Sequence, residues 1–190
     1  MRVLMLNQYF HPDMAATAQL ATDLAVDLAA RGHEVTAVAS NRQYLGGGTL
    51  PHHEVYKNVR IVRVSATGFG RRSRFLRALD YGSFLAASLA PVLGRVRPDV
   101  VIALSTPPFI AALGLLAQRL RGVRLVFWVM DVYPEIAVKL GVLGNNSPAT
   151  RLMKLLSRTV LRRADDVMRS TKMGTVHSTV TRCSSSLPTA

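Results

Sequence analysis

Val3-Leu4-Met5-Leu6, then Asn7-Gln8-Tyr9-Phe10-His11-Pro12-Asp13, then Leu20, Leu24 and Leu28, then Val35-Thr36-Ala37-Val38-Ala39: this order within residues 1–40 decides the fold. The first run is short, apolar and free of glycine and proline, which predicts a buried strand. The polar-aromatic loop from Asn7 follows it. Leucines four apart, with Ala21, Ala25 and Ala29 beside them, predict an amphipathic helix with Leu20, Leu24 and Leu28 on its inner face. Asp23, Asp27 and Arg31 fall on the other side, where Asp27 and Arg31 have the spacing of an ion pair. Gly32 suits the left-handed position that stops a helix. The second apolar run is a second strand. Strand, helix and strand with short joints give a parallel pair and a right-handed crossover. Ligands of such sheets bind beyond the carboxyl ends of the strands, so the loop from Asn7 to Thr17 is the first candidate site.

The rest of the chain extends this pattern. Asn41 to Gly48 is a glycine-rich connection; no Gly-Lys-Ser/Thr follows it and no helix begins there, so a phosphate-cradling loop is weakly supported. Val59-Arg60-Ile61-Val62-Arg63-Val64 alternates as a strand near a sheet edge. Val100 to Leu104 is a continuous apolar strand ending in Ser105-Thr106-Pro107-Pro108. The prolines fit the first turn of a helix from about Phe109 to Arg121, with Leu113, Leu116, Ala117 and Leu120 inward. Arg124 to Met130 is a further strand, ending in Asp131-Val132-Tyr133-Pro134-Glu135. A last helix follows Asn146-Ser147-Pro148, with Leu152, Leu155, Leu156, Val160 and Leu161 on one side. Arg151, Lys154, Arg158, Arg162 and Arg163 lie on the other. The fold class is therefore α/β, a doubly wound and mainly parallel sheet with three polar strand-to-helix joints over one edge.

Composition narrows the function classes. At 190 residues the chain can bury one good core. Its single cysteine, Cys183, excludes an internal disulfide and a cysteine-rich metal site. His11 stands alone before a proline, with no second metal-type ligand near it, so no metal is expected. No window approaches the roughly 18 uninterrupted apolar residues of a spanning helix. Met1-Arg2-Val3 leads straight into a strand without a signal-peptide pattern, so a cytoplasmic location is expected.

The formal charge is +13, and twenty of the 24 basic residues are arginine. Coding bias accounts for this, and so does an anionic partner. Arg71, Arg72, Arg74 and Arg77 precede or open a helical run bearing Phe75, Leu76, Leu79, Phe84, Leu85, Leu89 and Val92. That stretch reads either as a core-facing helix with a solvated charged end or as an amphipathic helix on anionic head groups. Nucleic acid is not expected, because no zinc-finger spacing, RNP-like sequence or basic-aromatic interleaving accompanies the charge. Asp131 and Glu135 sit where substrates bind, and a carboxylate there can orient a hydroxyl or take its proton. Asp131 also suits a plain helix cap before Pro134.

Five ordered pieces carry a family resemblance: Asn7 to Asp13, Ala16-Thr17-Ala18-Gln19, Leu28 to Thr36, Ser105 to Pro108, and Asp131 to Glu135. Together they resemble the N-terminal domain of GT-B glycosyltransferases of the retaining family 4, closest to the branch that builds bacterial surface polysaccharides. The resemblance covers about residues 1–166 and implies one Rossmann-like half of a two-domain enzyme. It implies a nucleotide-sugar donor, a lipid-linked or polysaccharide acceptor, no cofactor, and a cytoplasmic protein peripheral to the inner face of the plasma membrane.

By that resemblance the candidate substrate-binding residues are Ala16, Thr17, Ser105, Thr106, Asp131, Tyr133 and Glu135, with Asp131 the catalytic candidate. Arg71, Arg72, Arg74 and Arg77 are the membrane-binding candidates. Many relatives place a glycine pair where this chain has Ala15-Ala16-Thr17; there, helix N–H groups reach the donor diphosphate.

The family's second, donor-binding domain has no counterpart in the sequence. Residues 167–190 lose apolar periodicity, and Ser170 to Ala190 holds ten serines and threonines, which predicts a disordered or out-of-frame tail of a truncated gene. A separately supplied donor domain would complete the enzyme; a non-catalytic, membrane-associated acceptor-binding subunit is the alternative. A dinucleotide-binding oxidoreductase requires a glycine fingerprint after the first strand, and Asn7 to Gln19 has none.

Overall fold

A computed structural model describes residues 1–44, 48–69, 73–94, 97–107, 109–130 and 148–169. Seven strands form one sheet: β1 (Arg2–Leu6), β2 (Glu34–Ser40), β3 (His53–Tyr56), β4 (Val59–Val64), β5 (Val100–Leu104), β6 (Arg124–Val129) and β7 (Asp166–Arg169). Four helices are described: α1 (Ala16–Ala30), α2 (Arg74–Val92), α3 (Ile110–Arg121) and α4 (Pro148–Arg163). The strand order is β3-β4-β2-β1-β5-β6-β7, and every neighbouring pair is parallel except β3 with β4. The expected α/β, Rossmann-like sheet is the one observed.

Strand alternation divides the core into two layers. Leu4, Leu6, Val101, Ala103 and Leu125 face Phe84 and Val92 of α2, Ile110, Leu113 and Ala117 of α3, and Val160 of α4. Val3, Met5, Val35, Ala37, Ile61 and Leu104 face Ala21 and Ala25 of α1. Continuous apolar runs such as Val100–Leu104 follow directly from burial on both faces. Each fully buried leucine, isoleucine or valine contributes roughly 1.5–3 kcal/mol of transfer free energy.

Helix ends follow local chemistry. Gly32, at φ +84°, closes α1: its N–H donates to Ala29 O at 3.0 Å, and the His33 N–H donates to Leu28 O at 3.1 Å. This is the paired pattern of a left-handed cap, and glycine takes that φ without a Cβ penalty. Arg31 bonds Asp27 at 2.8 Å, as the spacing predicted.

Several inner faces differ from the sequence expectation. In α1 the buried stripe is Ala18, Ala21, Thr22 and Ala25, while Leu20, Leu24 and Leu28 pack half-buried along its margins. Small residues at the centre let the helix lie close to the sheet, and the leucines fill the flanks. In α3, Leu120 is exposed rather than inward. That helix starts at Ile110, after Phe109 in a left-handed conformation, with Ile110 N donating to Pro107 O at 3.2 Å. Pro107 therefore precedes the helix instead of opening it. In α4 the inward side chains are Met153 and Val160 with half-buried Leu156, whereas Leu152, Leu155 and Leu161 face solvent.

Two strands arise outside the expected set. β3 pairs with β4 through the two-residue turn Lys57-Asn58, both at positive φ, which is the turn geometry that matches strand twist. β7 pairs with β6, and Arg124 grips Asp166 at 2.6 Å across that pair. Gln118 of α3 reaches the same corner, donating to Arg163 O and Asp165. The sequence reading places the loss of pattern where this strand forms. The tail from Ser170 lies outside the described residues.

Candidate functional site

The strand order reverses between β1 and β5: from β1 the chain first builds toward β2 and later returns to β5 on the other side. The crevice beyond the carboxyl ends of those two strands is the binding position of open α/β sheets. Here it is lined by Asn7-Gln8 after β1 and Ser105-Thr106 after β5.

Backbone hydrogen bonds lock these corners together. Gln8 N–H donates to Thr106 O at 3.1 Å, Ser40 N–H donates to Gln8 O at 2.8 Å, and Asn7 N–H donates to Val38 O at 3.3 Å. The ends of β1, β2 and β5 are thus joined through a single residue, Gln8. Ser105 Oγ accepts from Met130 N–H at 3.1 Å, bringing the end of β6 to the same place. Three buried side-chain oxygens at this junction have no hydrogen-bond partner: Asn7 Oδ1, Gln8 Oε1 and Thr106 Oγ1. A buried polar atom left unpaired costs about 1–3 kcal/mol, so the fold bears this cost where a ligand is expected.

The first loop is held at several points. Asn7 Nδ2 donates to Tyr9 O at 2.6 Å and to Thr17 O at 3.3 Å. His11 N–H donates to Thr22 Oγ1, whose hydroxyl donates in turn to Ala18 O on α1. Asp13 accepts from Tyr44 N–H at 2.7 Å and from Ala15 N–H. Tyr9 meets Tyr44 edge to face, and His11 stacks on Tyr56 at 3.6 Å. Arg63 lies 2 % exposed under this loop, paired with Glu54 at 2.7 Å and donating to Pro51 O and His11 O. No side chain caps the N-terminus of α1; Ala18 N–H donates to Ala15 O at 2.8 Å, and the N–H groups of Ala16 and Thr17 precede the first intrahelical bonds.

The candidate residues take the following places. Ala16 and Thr17 begin α1, with Ala16 exposed and Thr17 half-buried. Ser105 and Thr106 lie in the crevice. Ala16, Thr17, Ser105 and Thr106 thus share one edge of the sheet. Asp131, Tyr133 and Glu135 lie outside the described residues, as do Arg71 and Arg72. Arg74 is the first residue of α2, and Arg77, one turn on, is exposed. Among the described residues no group of three or more His, Cys, Asp or Glu side chains is placed to hold a metal ion, and no helix is long and apolar enough to cross a membrane.

Three features of the site escape the sequence reading. The loop from Asn7 to Thr17 is the first candidate site in the sequence, but Asn7 and Gln8 are not singled out within it, although polar residues ending a fully buried strand are the available signal. Arg63 is passed over as one residue of an alternating strand. In the sheet, Arg60 points outward, while Arg63 shares the inner face with Val59 and Ile61.

Comparison with known proteins agrees with this architecture. Solved structures with similar folds include sucrose-phosphate synthase from Thermosynechococcus elongatus, at 14 % identity and TM-score 0.60, covering 88 % of this chain and 42 % of that one. Os79 from O. sativa, in complex with UDP, aligns at 18 % identity and TM-score 0.54, covering 89 % of this chain and 46 % of that one. The chain thus spans less than half the length of either structure. No curated protein sequence matches it. The family described as "Glycosyl transferase 4-like domain" matches residues 16–173, most of the chain, and the protein belongs to that family.

Proposed function

We propose that this domain is the acceptor-side half of a retaining glycosyltransferase, one that moves a sugar from a nucleotide-sugar to a lipid-linked or polysaccharide acceptor. The observation that carries the reading is the crevice at the strand-order reversal, where Asn7, Gln8 and Thr106 present buried oxygens without partners. Carbohydrate hydroxyls are donors and acceptors at once and suit such a lining. Membership of the glycosyl transferase 4-like family supports sugar transfer, and the UDP complex of Os79 supports a nucleotide-sugar donor.

In this reading the uncapped start of α1, at Ala16 and Thr17, faces the donor diphosphate, where free N–H groups and the helix dipole favour an anion. Ser105 and Thr106 hold the acceptor. Asp131 orients the acceptor hydroxyl and takes its proton, with Tyr133 and Glu135 beside it. No metal or other cofactor takes part. Arg71, Arg72, Arg74 and Arg77 meet anionic lipid near the acceptor. The branch that builds bacterial surface polysaccharides is the proposed setting, at the inner face of the plasma membrane. A second domain carries the remaining donor contacts, since the chain covers 42 % and 46 % of the two solved structures.

Amide chemical-shift mapping of the full chain tests the reading, with UDP-glucose and a short oligosaccharide added separately. Expected are perturbations at Gln8, Ser105 and Thr106 with the oligosaccharide, at Ala16 and Thr17 with UDP-glucose, and no sugar transfer by the chain alone. Perturbations elsewhere would remove the assignment of the crevice. Measurable transfer by the chain alone would remove the need for a second domain.

A further inference from the structure

Arg42 follows the carboxyl end of β2, half-buried, and its side chain reaches over the end of β4. Its backbone N–H donates to Ser40 Oγ at 3.0 Å, and its Nε donates to Ala66 O at 3.3 Å. Asn41 beside it accepts from Ala66 N–H through Oδ1 at 3.3 Å, so both residues tie the ends of β2 and β4 together. The guanidinium rests against Gly68: a Cβ there would lie 3.0 Å from Arg42 Nε and 3.3 Å from Arg42 Cζ. Gly68 is not one of the glycines at positive φ, so its missing side chain serves this close approach and not a turn. Among the described residues, Arg42 Nη1 and Nη2 have no hydrogen-bond or ion-pair partner. By contrast, Arg2, Arg31, Arg63 and Arg124 each meet a carboxylate within 3.1 Å. The carboxylates of the adjoining segments are engaged elsewhere. Asp13 accepts from Tyr44 N–H and Ala15 N–H, and Asp80 accepts from Thr67 Oγ1 and Phe69 N–H. A guanidinium held by its Nε, with its outer edge open, is a preformed fork for an oxyanion.

We propose that Arg42 selects an acidic acceptor: its Nη1–Nη2 edge takes a carboxylate or phosphate that the acceptor carries beyond the sugar held in the crevice. This rests on the sugar-transfer reading and names the chemistry that distinguishes the acceptor. Ser40 links the two positions, since its N–H donates to Gln8 O and its hydroxyl accepts from Arg42 N–H. The guanidinium lies at β4, two strands from β1, on the order of 10 Å from Gln8 at ordinary strand spacing. An acceptor of more than one sugar unit spans that distance. Tyr44 is 41 % exposed and packs edge to face on Tyr9, so the loops that follow Gln8 and Arg42 meet through an exposed aromatic ring. Such a ring offers an apolar face to the C–H groups of a sugar. A neutral acceptor leaves the Arg42 fork in water, whereas an oxyanion gains two charge-assisted hydrogen bonds, so the discrimination lies in acceptor charge.

Calorimetric titration of the full chain with maltotriose, terminally phosphorylated maltotriose and trigalacturonate tests the proposal, with amide shifts recorded alongside. Expected is binding of an acidic sugar about ten- to a hundredfold tighter than maltotriose. Whichever acidic sugar gains more identifies the oxyanion. Arg42→Gln should bring the acidic sugars to the affinity of maltotriose, and Arg42→Lys should keep only part of the gain. Gly68→Val retains the charge and displaces the guanidinium, so it should also cut the gain, by about tenfold. A diffuse attraction to a basic surface would not respond to that variant. Should Arg42→Gln fail to fold, Gly68→Val and the native-chain comparison still decide. Four results would overturn the proposal: acidic and neutral sugars bound equally, no sugar bound, a gain that survives Arg42→Gln, or inorganic phosphate bound as tightly as the phosphorylated sugar. Shifts around Arg42 with UDP-glucose that the acidic sugars do not produce would overturn it too, by giving the fork to the donor. The two readings fail differently. Equal binding with shifts at Gln8, Ser105 and Thr106 removes the role of Arg42 and leaves the crevice. Acidic binding through Arg42 without those shifts removes the crevice, and with it Arg42 as an acceptor selector.

Discussion

Arg63 donates through Nη2 to the carbonyl oxygen of His11 at 2.5 Å, joining a strand near the sheet edge to the middle of the first loop 52 residues away. The guanidinium is 2 % exposed, and its remaining donors reach Pro51 O and the Glu54 carboxylate. A planar fork with five donors can serve three acceptors at once, which an ammonium on a flexible stem does poorly. Arg63→Met leaves those carbonyls and Glu54 without this partner, and it should cost about 2–4 kcal/mol in urea titrations. Arg63→Lys should recover only part of that loss. The sharper readout is amide hydrogen exchange at His11 and Asp13, which should quicken beyond the global change. Unchanged loop exchange in a destabilised variant would show that Arg63 supports the sheet and not the loop.

Much of this arrangement was legible in the residues, and the exceptions have physical causes. The strand and helix at the start, the left-handed stop at Gly32 and the polar corner at Ser105 follow from local pattern and chain chirality. β3 did not, because His53-Glu54-Val55-Tyr56 has weak alternation; pairing with β4 and the Lys57-Asn58 turn make it a strand. Arg63 was unreadable because a buried arginine is determined by partners distant in sequence. The α4 leucines misled for the opposite reason: helical spacing gives a face, but only packing says which face is inward. In the crevice, Ser105 and Thr106 announced themselves as polar residues after a buried strand. Gln8 became a junction only once three strand ends met on it.

Gly114 on α3 is a close-approach position. A Cβ there would lie 2.5 Å from Leu125 Cδ1 and 3.6 Å from Ala103 Cβ, and Leu125 is fully buried. Gly114→Ala gains roughly 1 kcal/mol of helix propensity and loses about 1–3 kcal/mol to overpacking. The expected result is a net loss of about 1 kcal/mol. In a Leu125→Val background the obstructing methyl is displaced, and the same alanine should become neutral or stabilising. A double-mutant cycle by urea denaturation reads this coupling, expected near 1 kcal/mol. Additive effects would show that Leu125 moves aside freely.

Asp99 ties the start of β1 to the entry of β5. Its carboxylate accepts from Arg2 N–H at 2.7 Å and from the Arg2 guanidinium at 3.1 Å. The backbone hydrogen bond first, and the side-chain bond second, hold the Asp99 carboxyl below its ordinary value. A folded-state value below the unfolded one means that the unfolded chain binds more protons, so this stabilisation is complete above the ordinary carboxylate range. It is lost as pH falls below about 4 toward the folded value. Asp99→Asn should therefore be less stable than the parent at neutral pH and approach it in acid. A stability gap independent of pH would exclude the carboxylate charge as its source.

Two buried oxygens without partners offer a contrast between structural cost and function. Ser88 Oγ lies unpaired in α2, fully buried and away from the crevice, and Gln8 Oε1 lies unpaired within it. Removing an unsatisfied buried polar atom recovers part of its desolvation cost, so Ser88→Ala and Gln8→Met should each stabilise the fold by about 1 kcal/mol. Their effects on ligands should differ. Ser88→Ala should leave oligosaccharide-induced shifts at Ser105 and Thr106 intact. Gln8→Met should weaken them, because the oxygen it deletes is unpaired only until a hydroxyl arrives. Stabilisation by both variants with ligand binding lost in one alone is the signature of a site that gives up stability for recognition. If Gln8→Met instead destabilises the fold, its side chain has a partner in solution, and its role is to hold the strand ends together.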